Sequence, residues 1–124
     1  MLEVENYSLE YGDNLILDNV SFSLEKGKVL GIIGPSGCGK TSLVKAIVGI
    51  FRSSESSIRL YGKQIYDNPE IKKNIAYVPD EQSSFYLVTI SEIINFYKSI
   101  YSSFSEERFY KINKIFKIPL NKRF

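Results

Sequence analysis

Gly34-Pro35-Ser36-Gly37-Cys38-Gly39-Lys40-Thr41 decides how the rest of this chain is read. The stretch matches G-x-x-x-x-G-K-[ST], a phosphate-binding loop, and it stands in the context that motif requires. Before it runs Val29-Leu30-Gly31-Ile32-Ile33, apolar on both faces, the pattern of a buried parallel strand. After it Leu43, Ala46, Ile47 and Ile50 lie at i, i+3, i+4 and i+7, one stripe of a helix that opens at Lys40 and ends at Gly49. A match arises by chance in roughly one chain in a few hundred of this length, and the flanking strand and helix patterns reduce that further.

The chemistry accounts for each residue type. Glycines allow backbone conformations that a side chain would forbid, so successive N–H groups can ring a phosphate chain. The N-terminus of the helix adds its own N–H groups and dipole to the same anion. Lys40 is expected on the β- and γ-phosphates, the Thr41 hydroxyl on Mg²⁺, and Ser42 on a further phosphate oxygen. Pro35, Ser36 and Cys38 fill the variable positions between the glycines. Cys38 is expected to contribute backbone alone and not to be catalytic, although a helix-N-terminal thiol can be reactive.

Working outward, Leu2 and Val4, then Val20, Phe22 and Leu24, alternate with polar residues, and Gly12-Asp13-Asn14 is a turn cluster between them. An antiparallel pair is expected. Glu25-Lys26-Gly27-Lys28 is a second turn. Arg52-Ser53-Ser54-Glu55-Ser56-Ser57 reads as a surface loop. Further strands are expected at Ile58-Arg59-Leu60-Tyr61 and at Ile75-Ala76-Tyr77-Val78, the latter stopped by Pro79. Thr89-Ile90-Ser91-Glu92 is a capping box, followed at helical spacing by Ile93, Ile94, Tyr97, Ile100 and Tyr101. Ser105 with Glu106 and Glu107 opens a last helix, striped by Phe109, Ile112 and Phe116 and stopped by Pro119. The order is α/β with a mostly helical second half.

Composition limits the chemistry. The 124 residues are about one domain by length, 44% hydrophobic, with 16 basic against 14 acidic side chains. A net charge of +2 is too near neutral to suggest nucleic-acid binding, and none is expected. Arg108, Lys111, Lys114, Lys117, Lys122 and Arg123 form an acid-free run, read as the solvated face of the last helix rather than a lipid or nucleic-acid contact. There is no histidine, which excludes imidazole bases and most zinc sites. The single cysteine excludes an intramolecular disulfide. No run is long enough to cross a bilayer, and the acidic start is unlike a signal peptide, so a soluble cytoplasmic protein is expected.

Tyr11-Gly12, Leu17-Asp18-Asn19-Val20-Ser21-Phe22 and the continuous stretch from Glu25 to Leu43 closely resemble the N-terminal half of an ABC transporter ATP-binding domain. The resemblance implies a P-loop NTPase core with an N-terminal antiparallel β subdomain (1–88, including the Q-loop region) and the start of a helical subdomain (89–124). It implies ATP and Mg²⁺ as cofactors and places an aromatic at Tyr11 against adenine, with Tyr7 the nearest rival. As partners it implies a transmembrane permease and a second ATP-binding domain in a head-to-tail dimer, hence a place at the cytoplasmic face of the membrane. After Ile75-Ala76-Tyr77-Val78-Pro79 the family normally has the Q-loop glutamine that senses Mg²⁺ and the γ-phosphate. Here Asp80 stands at that position and a glutamine appears at Gln82, an arrangement similar to some export-type members, and either residue can take the role.

The family's domain continues into an LSGGQ signature, a Walker B pair and a switch histidine, none of which is present. The resemblance therefore implies an incomplete domain that binds ATP without hydrolysing it alone. Two other readings stay open. One is a compact P-loop kinase or NTPase using Asp80-Glu81 as its Walker B pair. The other is a truncated, non-catalytic nucleotide-binding module.

Overall fold

The computed structural model describes residues 1–52, 57–80 and 87–123. They fall into two compact units, 1–77 and 78–124.

The first unit is built on two long strands. β1 (Leu2–Tyr11) and β2 (Asn14–Leu24) pair antiparallel through the Gly12-Asp13 turn, in the register Leu2 with Leu24, Val4 with Phe22 and Tyr11 with Asn14. Simple alternation would bury residues two apart, yet Val4 and Tyr7, three apart, are both buried. Register shifts between Val4 and Tyr7 and again beyond Tyr7 resolve this. Asn6 (φ 47°) and Asn19 (φ 49°) take left-handed conformations there, one of the few roles asparagine fills better than most residues. The Ser21 hydroxyl accepts from the Asn6 N–H (2.8 Å), and the Ser8 hydroxyl accepts from the Asn19 N–H (2.9 Å).

β3 (Ile58–Leu60) pairs antiparallel with the other edge of β1, and β4 (Lys63–Gln64) pairs with β3, giving the order β2-β1-β3-β4. Helix α1 (Lys40–Ile47) lays Leu43 and Ala46 on this sheet. The core joins them to Val4, Tyr7, Leu17, Ile58, Ile65 and Ile71. α1 stops where expected: Gly49 has φ 75°, and a Cβ there would lie 2.8 Å from the Lys72 side chain. Ile50, expected on the helix stripe, instead lies beyond this turn and is exposed. The short α2 (Pro69–Lys72) was not foreseen, although Asn68 caps it and Pro69 starts it.

In the second unit α3 (Ile90–Ile100) carries the expected capping box: the Thr89 hydroxyl accepts from the Glu92 N–H, and the Glu92 carboxylate accepts from the Thr89 N–H at 2.7 Å. α4 (Glu106–Phe116) is capped by Ser105. It ends at Lys117 in a left-handed conformation (φ 53°), two residues before the expected stop at Pro119. Lys98 and Glu106 link the two helices at 2.6 Å, and the segment after α4 returns to the start of α3, where Ile90 N–H donates to the Lys122 carbonyl. The stripe expected to pack under α4 does not: no residue of that helix is buried.

Two expected strands are absent. Residues 29–33 and 75–78 have no strand pairing, and Val29 and Ile33 are each 97% exposed. A strand apolar on both faces gains its stability from neighbours on both edges and layers on both sides. Among the described residues no strand flanks either segment, so the local pattern has nothing to pair with.

Candidate nucleotide-binding site

The phosphate-binding loop is shaped by its glycines and by the strand beneath it. Gly37 (φ 82°) and Gly39 (φ 90°) are both left-handed, the region only glycine enters freely. A Cβ on Gly39 would sit 2.9 Å from Leu17 Cδ2 and 3.0 Å from the Ile16 carbonyl oxygen. Gly39 is therefore both the turn into α1 and the point where the loop rests on β2. A Cβ on Gly34 would meet Cys38 Sγ at 2.7 Å. Glycine is thus favoured by conformation at Gly37 and by conformation and contact together at Gly39, whereas a Cβ at Gly34 would require only that the Cys38 thiol turn away.

Lys40 closes the loop on itself. Its ammonium donates to the Gly34 carbonyl at 2.8 Å and to the Pro35 carbonyl at 2.6 Å, with Cys38 Sγ 3.7 Å away. The cation is held inside the glycine turn, next to the N-terminus of α1. That N-terminus is capped by Gly39, which has no side chain to satisfy the first N–H groups, and no acid stands in the first turn to compete for them. A concentration of donors and one ammonium, with no local anion, fits a phosphate chain. The loop sequence Ser36 to Lys40 is consequently a good cradle for a polyphosphate, with Thr41 and Ser42 carrying hydroxyls at the helix start.

Magnesium fits the same arrangement. Among the described residues no three His, Cys, Asp or Glu side chains cluster as a metal site. A cation that keeps waters and binds through phosphates needs only one or two protein oxygens, and Thr41, in the first turn of α1, carries a hydroxyl that could be one. Asp80 lies in the second unit and is exposed. Gln82, the other Q-loop candidate, and Glu81 lie outside the described residues.

The two tyrosines separate clearly. Tyr7, the rival for the base, is fully buried, and its hydroxyl donates to the Arg52 carbonyl at 3.5 Å. Burial pushes its phenol above the ordinary value. It is a core residue with no face to offer. Tyr11 ends β1 beside the turn and is 78% exposed. Tyr11, Ile16 and Ser42 line one groove of about 1040 Å³, which Arg52, Gln64, Tyr66 and Asp67 also line. Ser42 follows Thr41 directly, so the groove opens from the phosphate end of α1. Gln64, Tyr66 and Asp67, which line the same groove, were missed in the sequence. No motif marks them, because they come from a two-residue strand and the turn after it.

Comparisons with known proteins agree with this geometry. The sequence model of the ABC transporter family matches residues 17–123. The chain is 36% identical over 96 residues to a spermidine/putrescine import ATP-binding protein of Bacteroides thetaiotaomicron, covering 77% of this chain and 21% of that protein. It is 27% identical to an ABC transporter ATP-binding protein of Bacillus subtilis, over all of this chain and 42% of that one. A solved structure of the ATP binding subunit of an ABC transporter superimposes with a TM-score of 0.81 at 25% identity, covering 98% of this chain and 53% of that chain. The chain thus spans about half of the solved structure and less than half of these two relatives. The chain belongs to the ABC transporter family.

Proposed function

We propose that this chain is the nucleotide-binding half of the ATP-binding subunit of an ABC transporter, holding Mg·ATP on the loop from Gly34 to Ser42. The observation that carries the reading is the glycine turn closed around the Lys40 ammonium at the uncapped start of α1. In this reading the loop N–H groups and Lys40 take the β- and γ-phosphates, Thr41 takes Mg²⁺, and Ser42 takes a phosphate oxygen nearer the ribose. The exposed face of Tyr11 stacks on adenine. Magnesium, when bound, offsets the phosphate charge. The chain's own part is to bind and orient.

The family resemblance extends the proposal. Residues 1–88 form the core with its β subdomain, and residues 89–124 begin the helical subdomain. Asp80 or Gln82 serves as the Q-loop sensor of Mg²⁺ and the γ-phosphate. Hydrolysis in the whole protein needs the signature, the Walker B pair and the switch histidine, and a second ATP-binding domain placed head to tail. The described residues contain no helix long and apolar enough to cross a membrane. A separate permease carries the transport path in this account, and the chain works at its cytoplasmic side.

A phosphate-release assay on the chain alone, with and without Asp80→Ala, tests this division of labour. Binding of Mg·ATP without turnover supports it. Steady turnover that Asp80→Ala abolishes contradicts it and favours a self-contained NTPase with Asp80-Glu81 as its Walker B pair.

A further inference from the structure

We propose that α4 lays its outer face on an anionic membrane surface, a lipid contact separate from the nucleotide loop and from any permease. The inner face of this helix is accounted for. Glu106 pairs with Lys98 of α3, and the Phe109 ring lies 6.5 Å from that of Phe104. The Asn113 carboxamide donates to the Ile118 carbonyl and accepts from its N–H. These three stand at i, i+3 and i+7, one line along the helix. Ile112, Ile115 and Phe116 find no such cover: Ile115 is 76% and Phe116 70% exposed, and Ile112 is exposed beside them. Arg108 and Lys111 precede Ile112 and Ile115 by four residues and line one groove with them, of about 560 Å³. Glu107, the acid that also lines it, stands in the first turn, two turns before Ile115.

Charge identifies what covers this face. From Arg108 to Arg123 stand six of the chain's 16 basic side chains and none of its 14 acidic ones. A solvated face explains such a run when the opposite stripe is packed, and on α4 it is not. An exposed apolar stripe flanked by long cationic side chains suits a helix lying in a bilayer interface. The isoleucines and Phe116 enter the acyl boundary, and the flexible Lys and Arg stems reach back to anionic headgroups. A second copy of the chain is a poor occupant, since two identical faces set the same cations against each other. A protein groove matches little better, because four of the six cations are lysines, which protein interfaces deplete. A nucleic-acid backbone takes the charge but leaves the apolar side chains in water.

Co-sedimentation of the full chain with vesicles tests this, using phosphatidylcholine alone and phosphatidylcholine mixed with phosphatidylglycerol. Wild type should bind the mixed vesicles at least about tenfold more tightly than the neutral ones, and added salt should weaken that binding. Arg108→Gln combined with Lys111→Gln should weaken it roughly tenfold or more, and Ile115→Asn about tenfold, with helix content and melting unchanged. Lys26→Gln combined with Lys28→Gln removes the same charge from an exposed turn of the first unit and should change binding by less than about twofold. No binding of the folded chain to mixed vesicles overturns the proposal and leaves the face to a protein partner. Equal binding to neutral vesicles overturns it too, as do equal losses in the two charge-removal pairs. A wild-type dimer that ignores vesicles and that Ile115→Asn returns to monomer assigns the face to a second copy instead. Mg·ATP binding is untouched by every one of these results, so the nucleotide reading stands or falls separately.

Discussion

Tyr7 and Tyr11 are four positions apart on one strand and do opposite work. Tyr7 is enclosed by the sheet and α1, and Tyr11 stands at the strand end with most of its surface free. Tyr7→Ala should therefore cost about 3–5 kcal/mol of folding free energy, the range for deleting a buried aromatic, as read by urea unfolding. Tyr11→Ala should leave stability within about 0.5 kcal/mol, as exposed substitutions do, while weakening nucleotide binding. If Tyr11→Ala unfolds the chain instead, its assignment to the base is wrong. Gly39 is the other sensitive residue. Gly39→Ala places a Cβ against Leu17 and the Ile16 carbonyl at φ 90°, and left-handed strain alone costs about 1–2 kcal/mol. A thermal melt should show that loss, whereas Cys38→Ala should melt close to wild type. The loop's conformation was legible because the motif fixes where glycine stands. The burial of Tyr7 was not, because alternation from Leu2 and Val4 puts both tyrosines on the opposite face of the strand until the register shift at Asn6 is known.

Among the elements, α3 gives the cleanest local test. The backbone N–H and then the hydroxyl of Thr89 hydrogen-bond to Glu92 and hold its carboxyl below the ordinary value near 4.5, with Arg123 adding a smaller push in the same direction. A carboxyl whose folded value is lowered contributes stability above its unfolded value and loses it as pH falls through the folded one. The helix signal should therefore weaken as pH drops below about 4.5, and Glu92→Gln should flatten that part of the profile. Thr89→Ala should cost about 1 kcal/mol, the usual loss of an N-cap. An unchanged acid profile in Glu92→Gln would remove the capping box from the account. The cap and its reciprocal acid were readable because both are local. The stripe was not: of its five residues only Ile94 is buried, Tyr97 and Ile100 are exposed, and Tyr101 is exposed past the helix end. The strands expected at 29–33 and 75–78 were the reverse case. Their pattern was read correctly as two-faced, but strand structure depends on neighbours, and neighbours are not written in the segment itself.

At the scale of the whole molecule, burial is uneven. One core of eight residues holds the first unit, whereas Val29, Ile33 and Val78 are almost fully exposed. Exposed apolar runs of this kind promote self-association. Val29→Ser should keep stability within about 0.5 kcal/mol and lower the associated fraction seen in sedimentation velocity. Ile65→Ala, at a fully buried position, should cost about 2–5 kcal/mol. The family and the fold class were accessible from the sequence because the loop, its flanks and the β hairpin are contiguous. The groove that joins Tyr11 to Gln64 was not, since it brings together residues more than fifty positions apart. The central claim is that the loop from Gly34 to Ser42 binds a nucleotide triphosphate through Lys40. Equilibrium titration of Mg·ATP into wild type and Lys40→Ala tests it most directly. Saturable binding weakened roughly 10- to 100-fold by the substitution, the scale of a charge-assisted contact, is the predicted result. Equal affinity in the two proteins, both folded, would contradict it.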